Sequence, residues 1–383
     1  MSSDWTECTL GEFARLQRGH DLTASEQKPG PVPVMGSAGQ NGTHNEAKTI
    51  GPGVVIGRSG ASMGRVHFSE VNFWPHNTCL YVTDFLDNNP RFCYYVLQTL
   101  DLAAYNSGSA QPSLNRNYIY AMKLRVPSRP EQDCIVELLE SLDDRIALLR
   151  ETNTTLEAIA QALFKSWFVD FDPVRAKQQG REPEGMDANT AALFPDSFEE
   201  SELGSVPKGW RVGKVEHLLE LAYGKALKAS DRVAGPIPVY GSGGVTGCHN
   251  EALVDEPSIV IGRKGTVGSL YWEDRPFFPI DTVFYVKTKV PLTYCFYQLQ
   301  RLGLDGMNTD GAVPGLNRNN VYRLPIVLPP HEVLAGFDGI VSALRHKIFG
   351  NSEQIRTLTI LRDTLLPRLI SGQLRLPNAE AVT

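Results

Sequence analysis

The chain has 383 residues, of which 42% are hydrophobic and 21% are charged, a balance typical of soluble globular proteins with two to three domains. No apolar run of about 18 residues occurs, which argues against a membrane span, and residues 1–7 have neither the basic start nor the apolar stretch of a signal peptide. The six cysteines are scattered without a C-x-x-C pair, which argues against a zinc site or disulfide framework and favours a cytoplasmic location.

The formal net charge of −6 is unevenly distributed. Residues 131–205 carry a net charge of −11, whereas residues 1–130, 206–330 and 331–383 carry +1, +3 and +1. The positive charge that a nucleic-acid-binding protein needs is local. The distribution therefore permits contact with phosphates without demanding it.

The strongest signal along the chain is an internal duplication of about 200 residues. Residues 31–39, 44–47 and 55–58 return as 236–244, 249–252 and 260–263, always at an offset of 205. The motif Leu-Asn-Arg-Asn at 114–117 returns at 316–319, at an offset of 202. A repeat of this length is too long for a solenoid, so we interpret it as a duplicated module.

Each module is predicted to be a small α+β domain with a mixed or antiparallel sheet, over residues 1–130 and 206–329. Residues 54–57 and 259–262 are short β-branched runs typical of strands, and residues 92–100 and 292–302 favour one short helix each. Turns are expected at the Asn-Gly, Ser-Gly and Asp-Gly pairs at 41–42, 107–108 and 310–311.

Two long helices follow the modules, over residues 131–170 and 330–374. Apolar residues recur at alternating steps of four and three, from Ile135 to Trp167 and from Phe337 to Leu369, which indicates a heptad seam of over four heptads. An antiparallel coiled coil would place Asn153 opposite Asn351, where a hydrogen bond between them would fix the register. The alternative is that both asparagines face solvent.

Two further segments complete the predicted organisation. Residues 171–205 contain proline, glycine and a surplus of acidic residues, which predicts an acidic linker. Residues 375–383 are predicted to be a tail.

Motifs of catalysis are missing from the sequence. There is no phosphate-binding G-x-x-x-x-G-K-[ST] loop, no G-x-S-x-G elbow, no H-E-x-x-H and no Asn/Asp-Pro-Pro-aromatic tetrapeptide. His44 and His249 recur in His-Asn-Glu but without clustered ligands, so a turn or surface role is favoured. We expect no catalytic residue, no metal site and no cofactor.

Over nearly its whole length the chain resembles the specificity subunits of type I restriction-modification systems. Three stretches carry the resemblance: GSAQPSLN at 108–115 leading to VPSRPEQ at 126–132, LFKSWFVDFDPV at 163–174, and ALFPDSF at 192–198 leading to LGSVPKGW at 203–210. The second copy departs at residues 330–333, which lack the Glu-Gln pair of the first. The two helices are therefore not expected to be interchangeable in partner contacts.

This resemblance implies that each module is a target recognition domain for one half of a bipartite site in double-stranded DNA. It further implies that the helices set the spacing and bind two adenine methyltransferase subunits, which endonuclease-translocase subunits then join. S-adenosylmethionine and ATP would bind those partners.

Candidate DNA contacts are arginine, lysine and amide side chains expected on module loops. Residues identical in both copies are more typical of structural or phosphate-binding positions, and unshared ones are better candidates for base reading. The full set is Gln40, Asn41, Arg58, Ser59, Arg65, Asn115, Arg116 and Asn117 in the first module, and Arg263, Lys264, Asn317, Arg318 and Asn319 in the second.

The apolar side chains of Phe164, Trp167 and Phe168 suggest an exposed partner-binding face, unless they close the helix pair. Two other functions stay open on the residues alone. One is a duplicated scaffold that does not bind DNA, and the other is an enzyme of unknown type with two active sites.

Overall fold

The structure, a computed structural model, describes residues 5–108, 111–308 and 315–376. The chain divides into two compact units: unit 1 takes its described residues from Met1–Leu149 and Gln354–Thr383, and unit 2 from Arg150–Glu353. Each unit therefore contains one module together with part of each long helix. These units differ from the domains predicted from the sequence, in which each long helix is a segment separate from the modules.

Module 1 is built from nine strands and three helices of its described residues. They are β1 (Thr6–Thr9), α1 (Leu10–Phe13), β2 (Arg15–Arg18), β3 (Val32–Gly36), β4 (Gly39–His44), β5 (Gly53–Gly57), β6 (Val66–Ser69), β7 (Trp74–Pro75), β8 (Cys79–Asp84), α2 (Pro90–Thr99), α3 (Arg116–Ile119) and β9 (Lys123–Val126).

Three small sheets form module 1. A four-stranded antiparallel sheet has the order β2-β8-β5-β6, a three-stranded mixed sheet has the order β4-β3-β7, and β1 pairs with β9. Strand β5 is buried along its whole length, as expected for its run of β-branched residues. Helix α2 is capped by the Asn89 side chain, which accepts from the amides of Arg91 and Phe92 at 2.8 and 3.1 Å.

One predicted turn is wrong. The Asn-Gly pair at 41–42 lies inside strand β4, and the chain reverses at residues 37–38 instead. The reason is Gly39, which takes a φ of +100°, a conformation that glycine adopts without steric cost. The predicted turn at 310–311 and residues 109–110 of the module junction lie outside the described residues.

The first long helix, α4 (Arg129–Phe168), is followed by α5 (Asp172–Gln178), α6 (Ala188–Ala192), β10 (Phe198–Ser201) and β11 (Gly204–Pro207). The segment predicted to be an acidic linker is thus folded. Strands β10 and β11 form an antiparallel hairpin, and Phe171, Val174 and Phe194 are buried in the core of unit 2. The composition of the segment is dominated by acidic residues, so it did not reveal that these apolar side chains are buried.

Module 2 repeats the topology of module 1, with sheets in the order β13-β19-β16-β17 and β15-β14-β18 and a β12-β20 pair. Its elements are β12 (Arg211–Lys214), β13 (Leu219–Tyr223), β14 (Ile237–Gly241), β15 (Gly244–His249), β16 (Ser258–Gly262), β17 (Leu270–Glu273), β18 (Phe278–Pro279), β19 (Val283–Thr288), α7 (Leu292–Arg301), α8 (Arg318–Tyr322) and β20 (Pro325–Leu328), followed by the second long helix, α9 (His331–Ile370). The predicted fold class, two mixed α+β modules with two long helices, is confirmed.

The junction between module and long helix differs between the copies, as the sequence predicted. In unit 1 the Trp5 indole donates to Glu131 at 3.0 Å, and Gln132, which is buried, accepts from the Asn89 amide at 2.9 Å. Helices α4 and α9 begin at equivalent positions, so Val333 and Leu334 replace that Glu-Gln pair in α9. Apolar packing takes the place of the polar clamp there.

The two long helices run antiparallel within each unit. In unit 1 Arg362 of α9 donates to Asp143 of α4 at 2.7 Å. In unit 2 Arg345 donates to Glu157 at 2.9 Å, and Phe337 packs against Phe164 with a ring-centre distance of 6.0 Å. All the seam side chains predicted from the heptad pattern are buried or half-buried.

The two asparagines of the seam meet in unit 2. Asn351, 1% exposed, donates from Nδ2 to Oδ1 of Asn153 at 2.8 Å. The Asn153 amide in turn lies 3.3 Å from both the carbonyl oxygen of Ile348 and the hydroxyl oxygen of Ser352. The alternative interpretation, that both asparagines face solvent, is wrong, because Asn351 is buried and its amide donates to Asn153 within the seam.

We predict that Asn351→Leu lowers the stability of the helix pair, because it leaves the side-chain carbonyl oxygen of Asn153 without its donor, at a cost of about 1–3 kcal/mol. The double variant Asn153→Leu with Asn351→Leu should regain that stability and lose the unique register. The stabilities are compared by urea denaturation followed by circular dichroism.

Register is measured by disulfide crosslinking between Glu157→Cys and either Arg345→Cys, the native neighbour, or Ser352→Cys, one heptad away. The parent chain should give only the first crosslink and the double leucine variant both. A double leucine variant that keeps the single native crosslink would show that the asparagines do not set the register.

Candidate nucleic-acid interface

The repeated Leu-Asn-Arg-Asn motif is a structural device in module 1. Leu114 is fully buried. The Asn115 side chain caps α3 by accepting from the Asn117 amide at 3.0 Å, and Arg116 donates from Nη1 to the carbonyl oxygen of Leu16 at 2.7 Å. The motif therefore ties the start of α3 to strand β2.

Module 2 repeats these contacts. Asn317 caps α8 by accepting from the Asn319 amide at 2.9 Å, and Arg318 donates to the carbonyl oxygen of Leu221 in β13 at 3.4 Å. The Tyr322 hydroxyl accepts from the amide of Leu221 at 2.8 Å. The identical residues of the two copies thus hold the same backbone frame, which agrees with the structural role expected of shared positions.

The shared arginine after β5 and β16 has a similar tether. Arg58 lies 3.5 Å from the carbonyl oxygen of Asn77 through Nη1. Arg263 donates from Nε and Nη2 to the carbonyl oxygen of Asp281 at 3.1 and 2.6 Å. A guanidinium has five N–H donors, so each arginine keeps donors beyond those used in the tether.

Module 1 brings several predicted residues together in one open cleft of about 630 Å³. Arg58, Asn115, Arg116 and Asn117 all line this cleft, which we call the module 1 cleft. Sequence reasoning missed the loop after β2 as its other wall; the complete lining is Gln17, Arg18, Gly19, His20, Asp21, Arg58, Leu80, Ser107, Ser113, Leu114, Asn115, Arg116 and Asn117.

The missed wall has a signal in the sequence. At the offset of 205 that relates the copies, Arg18-Gly19-His20 corresponds to Tyr223-Gly224-Lys225. The glycine is shared and its neighbours differ, so the two modules keep the same backbone here and carry different side chains.

The corresponding residues cluster in module 2 around Tyr223, which is 52% exposed. The guanidinium of Arg318 lies 5.0 Å and that of Arg263 5.4 Å from the centre of the Tyr223 ring, within cation–π range. Lys264, the neighbour of Arg263, is exposed. Its backbone amide donates to the carbonyl oxygen of Thr282 at 3.1 Å, and this hydrogen bond holds the backbone from which the lysine side chain extends.

Four of the predicted contacts lie outside the lining of the module 1 cleft. Gln40 and Asn41 are exposed on strand β4, not on a loop as expected. Ser59 pairs by a β-bridge with Ser113 of the cleft wall. Arg65 lines a different cleft, against the helix pair of unit 1.

The repeated histidines are structural and not at the surface. His44 and His249 are buried, and each accepts a backbone amide hydrogen at Nδ1, from Lys28 at 3.0 Å and from Val233 at 3.1 Å. Within the described parts of the chain no group of three or more possible metal ligands occurs. In the same residues no helix is long and apolar enough to cross a bilayer.

A tyrosine, a carboxylate and an arginine join each module to its part of the helix pair. In unit 1 the Tyr95 hydroxyl donates to Asp143 at 2.9 Å, and Asp143 accepts from Arg362. Burial, together with the neighbouring carboxylate, raises the pKa of Tyr95 above its usual value. The hydroxyl therefore stays protonated and keeps donating to the helix.

The same three residue types recur in unit 2. The Tyr297 hydroxyl donates to Glu157 at 3.3 Å, and Glu157 accepts from Arg345. Burial is again the main cause that raises the pKa of Tyr297, with the Glu157 carboxylate second. Each module is thereby oriented on the helices of its own unit by a hydrogen bond from a tyrosine hydroxyl, which its raised pKa keeps protonated.

The predicted partner surface at Phe164, Trp167 and Phe168 is wrong, because all three side chains are buried. Trp167 meets Phe194 edge to face at 5.0 Å, and Phe168 meets Phe337 at 5.1 Å. These rings close the helix pair onto module 2 and the folded segment after α4. The alternative prediction from the sequence, that these three rings close the helix pair, agrees with their burial.

Comparison with known proteins identifies a family. Residues 2–158 and 207–334 match the family model described as "Type I restriction modification DNA specificity domain". The chain is 25% identical to the HindI specificity subunit of Haemophilus influenzae, over 97% of this chain and 100% of that relative. It is 24% identical to the MjaIX specificity subunit of Methanocaldococcus jannaschii, over 74% of this chain and 69% of that relative.

A solved structure shares the fold. The S subunit of a type I restriction-modification system from Mycoplasma genitalium superposes with a TM-score of 0.67 at 19% identity, and the match covers 96% of both chains. The likeness supports the arrangement of elements described above.

We predict that Trp167→Ala destabilises the isolated chain by about 3–5 kcal/mol, the usual cost of deleting a large buried aromatic side chain. Ile159→Ala is the matched control, because Ile159 lies on the same helix and is 49% exposed; its effect should stay within about 0.5 kcal/mol. Urea denaturation followed by circular dichroism measures both. If Trp167→Ala leaves stability intact and abolishes only assembly with partners, the burial described here is not its role.

Proposed function

The chain belongs to the type I restriction-modification DNA specificity family, and on that premise we propose that its two modules each read one half of a bipartite duplex target. The chain is the non-catalytic specificity subunit. In this proposal the long helices set the distance between the half-sites and bind two adenine methyltransferase subunits, which endonuclease-translocase subunits join. S-adenosylmethionine and ATP bind those partner subunits.

One observation carries the proposal of two half-sites: the same backbone frame, which borders an open cleft in module 1, is built twice and carries different side chains. The tethers from Arg116 and Arg318 are equivalent, and so are the caps of α3 and α8. Equal frames with unequal exposed side chains suit two readers of unequal sequences, because base contacts specify a site and backbone contacts only position the protein.

The chemistry of both frames suits DNA. Arginine, lysine and asparagine are the side chains that contact phosphates and the edges of guanine and adenine. The module 1 cleft exposes Arg116 and Asn117, and module 2 exposes Lys264 and Asn319. The duplicated scaffold that does not bind DNA offers no reason for exposed basic and amide side chains at matching places of both frames.

The helices suit the role of a spacer. Helices α4 and α9 have 40 residues each, so each is about 60 Å long at about 1.5 Å per residue, and each contributes residues to both units. Half-sites read from one face of B-DNA are separated by about 34 Å or multiples of it. A register fixed by Asn153 and Asn351 would keep such a spacing constant.

Apolar side chains exposed on the long helices support the docking of partner subunits. Ile360 and Leu361 of α9 are 59% and 44% exposed in unit 1, and Ile159 of α4 and Ile340 of α9 are 49% and 43% exposed in unit 2. Contiguous exposed apolar patches are typical of interaction surfaces, and Ile360 and Leu361 are neighbours in the chain. These positions replace the buried rings at 164–168 as candidates for partner contacts.

We predict that the full chain with its methyltransferase subunits binds duplex DNA with an affinity that falls steeply as salt rises, because phosphate contacts release counterions. Lys264→Ala should change the sequence preference at one half-site. Arg318→Ala, which removes a shared tether, should weaken binding to all sequences alike. Equilibrium binding to a randomised duplex library at several salt concentrations measures both effects.

Lys208→Ala removes an exposed lysine of the segment that leads into module 2 and serves as the control that should leave the preference unchanged. DNA binding that is absent or insensitive to salt would favour the scaffold alternative. Methyl transfer by the chain without partners would favour the enzyme alternative. Equal losses on every sequence for Lys264→Ala and Arg318→Ala would refute the division between reading and shared residues.

A further inference from the structure

We propose that Arg18 of module 1 and Tyr223 of module 2 occupy the same position in the two frames and determine the base preference of their half-sites. Arg18 does so by donating hydrogen bonds to the edge of a guanine. Tyr223 does so by contact of its ring with a base, because it lacks the two parallel N–H donors of an arginine. This inference rests on the proposed function and adds to it the residues that distinguish the two readers.

The backbone at this position is held alike in both modules. The amide of Gly19 donates to the carbonyl oxygen of Cys79 at 3.0 Å, and the amide of His20 to that of Pro75 at 2.7 Å. In module 2 the amide of Gly224 donates to Val283 at 3.3 Å and that of Lys225 to Pro279 at 3.0 Å. Two anchors immediately after the position fix where its side chain starts.

The glycine next to the position is required by packing. A Cβ on Gly19 would lie 2.1 Å from the carbonyl oxygen of His76, and a Cβ on Gly224 would lie 2.1 Å from that of Ile280. These distances are far shorter than real contacts allow, so only glycine fits at this position in either module. The preceding residue, Arg18 in module 1 and Tyr223 in module 2, therefore starts from a closely packed and hydrogen-bonded stretch of backbone.

Arg18 is presented to solvent with a defined orientation. Its side chain is 52% exposed, and Nη2 donates to Asp21 at 2.9 Å. A hydrogen bond from Asn77 is the main cause that lowers the pKa of Asp21, so this carboxylate stays ionised. One contact orients the guanidinium, and the remaining donors are available for the fork geometry that pairs with guanine.

Tyr223 is held by the shared arginines instead. Arg318 and Arg263 lie at 5.0 and 5.4 Å from its ring centre, and Phe284 packs edge to face at 5.0 Å. The Nε atom of Arg318 is buried and has no hydrogen-bond partner within the residues that the structure describes. The two arginines therefore pack against the Tyr223 ring, and about half of the tyrosine remains exposed to solvent.

The exchange of arginine for tyrosine points to bases and not to phosphates. A phosphate contact carries no sequence information, so one chemistry would serve both modules there, as it does at the shared arginines. Aspartate is exchanged as well, since Ala226 stands at the position of Asp21. The acid that orients Arg18 is therefore missing where there is no arginine to orient.

The test exchanges the two residues in the full chain, co-expressed with its methyltransferase subunits. Arg18→Tyr should lose about 5- to 150-fold of the preference for guanine at one position of the first half-site, the range of a good bidentate contact. Tyr223→Arg should create a guanine preference in the second half-site. Selection from a randomised duplex library, followed by sequencing, gives both results, and circular dichroism checks folding.

Arg15→Tyr is the matched control, because Arg15 is exposed on the same strand and does not line the cleft. It removes the same charge and should leave the base preference unchanged. Asp21→Ala should reduce the preference for guanine at that position of the first half-site, which tests the orienting role of the carboxylate.

The outcomes separate the inference from the function on which it rests. If the parent complex selects no bipartite target, the proposed function fails. If the parent selects one, and Arg18→Tyr only weakens binding to every sequence and lowers the salt dependence, position 18 contacts phosphate and the inference is overturned. Unchanged selection by both exchange variants overturns it equally.

Discussion

A hydrogen bond between two amide side chains, buried in an otherwise apolar helix seam, is the constraint on which the structure depends. Asn351 donates to Asn153 at 2.8 Å, and a shift by one heptad would place Asn153 opposite Leu344 or Leu358. Leaving a buried polar group unpaired costs about 1–3 kcal/mol, enough to favour one register strongly. The antiparallel ion pairs at Asp143 and Glu157 then fall at defined places along each helix.

Within each unit, one hydrogen bond joins the module to its part of the long helices. Tyr95 donates to Asp143 and Tyr297 donates to Glu157, so the short helix of each module is fastened to the same carboxylate that joins the long helices. The duplicated frame of each module then carries its exposed side chains in a fixed orientation relative to that fastening. The residues that both modules share hold the backbone frame, and the unshared residues are free to differ between the two modules.

The sequence predicted the elements whose signal is periodic or repeated. The heptad seam gave both long helices and the meeting of Asn153 with Asn351, and the duplication gave two modules of mixed sheet. It failed where tertiary packing decides: Phe164, Trp167 and Phe168 look like a surface until module 2 covers them. It also missed Arg18 as a cleft residue. Strand β2 lies beside α3 through the hydrogen bond from Arg116 to Leu16, which joins residues 100 positions apart in the chain.

The most direct test of the account is to map methylated adenines in DNA from cells that carry this chain with its partner subunits. The account predicts a split motif: two short, unlike half-sites separated by a gap of constant length, since one fixed register holds two different readers. A contiguous motif, or half-sites separated by variable gaps, would contradict it.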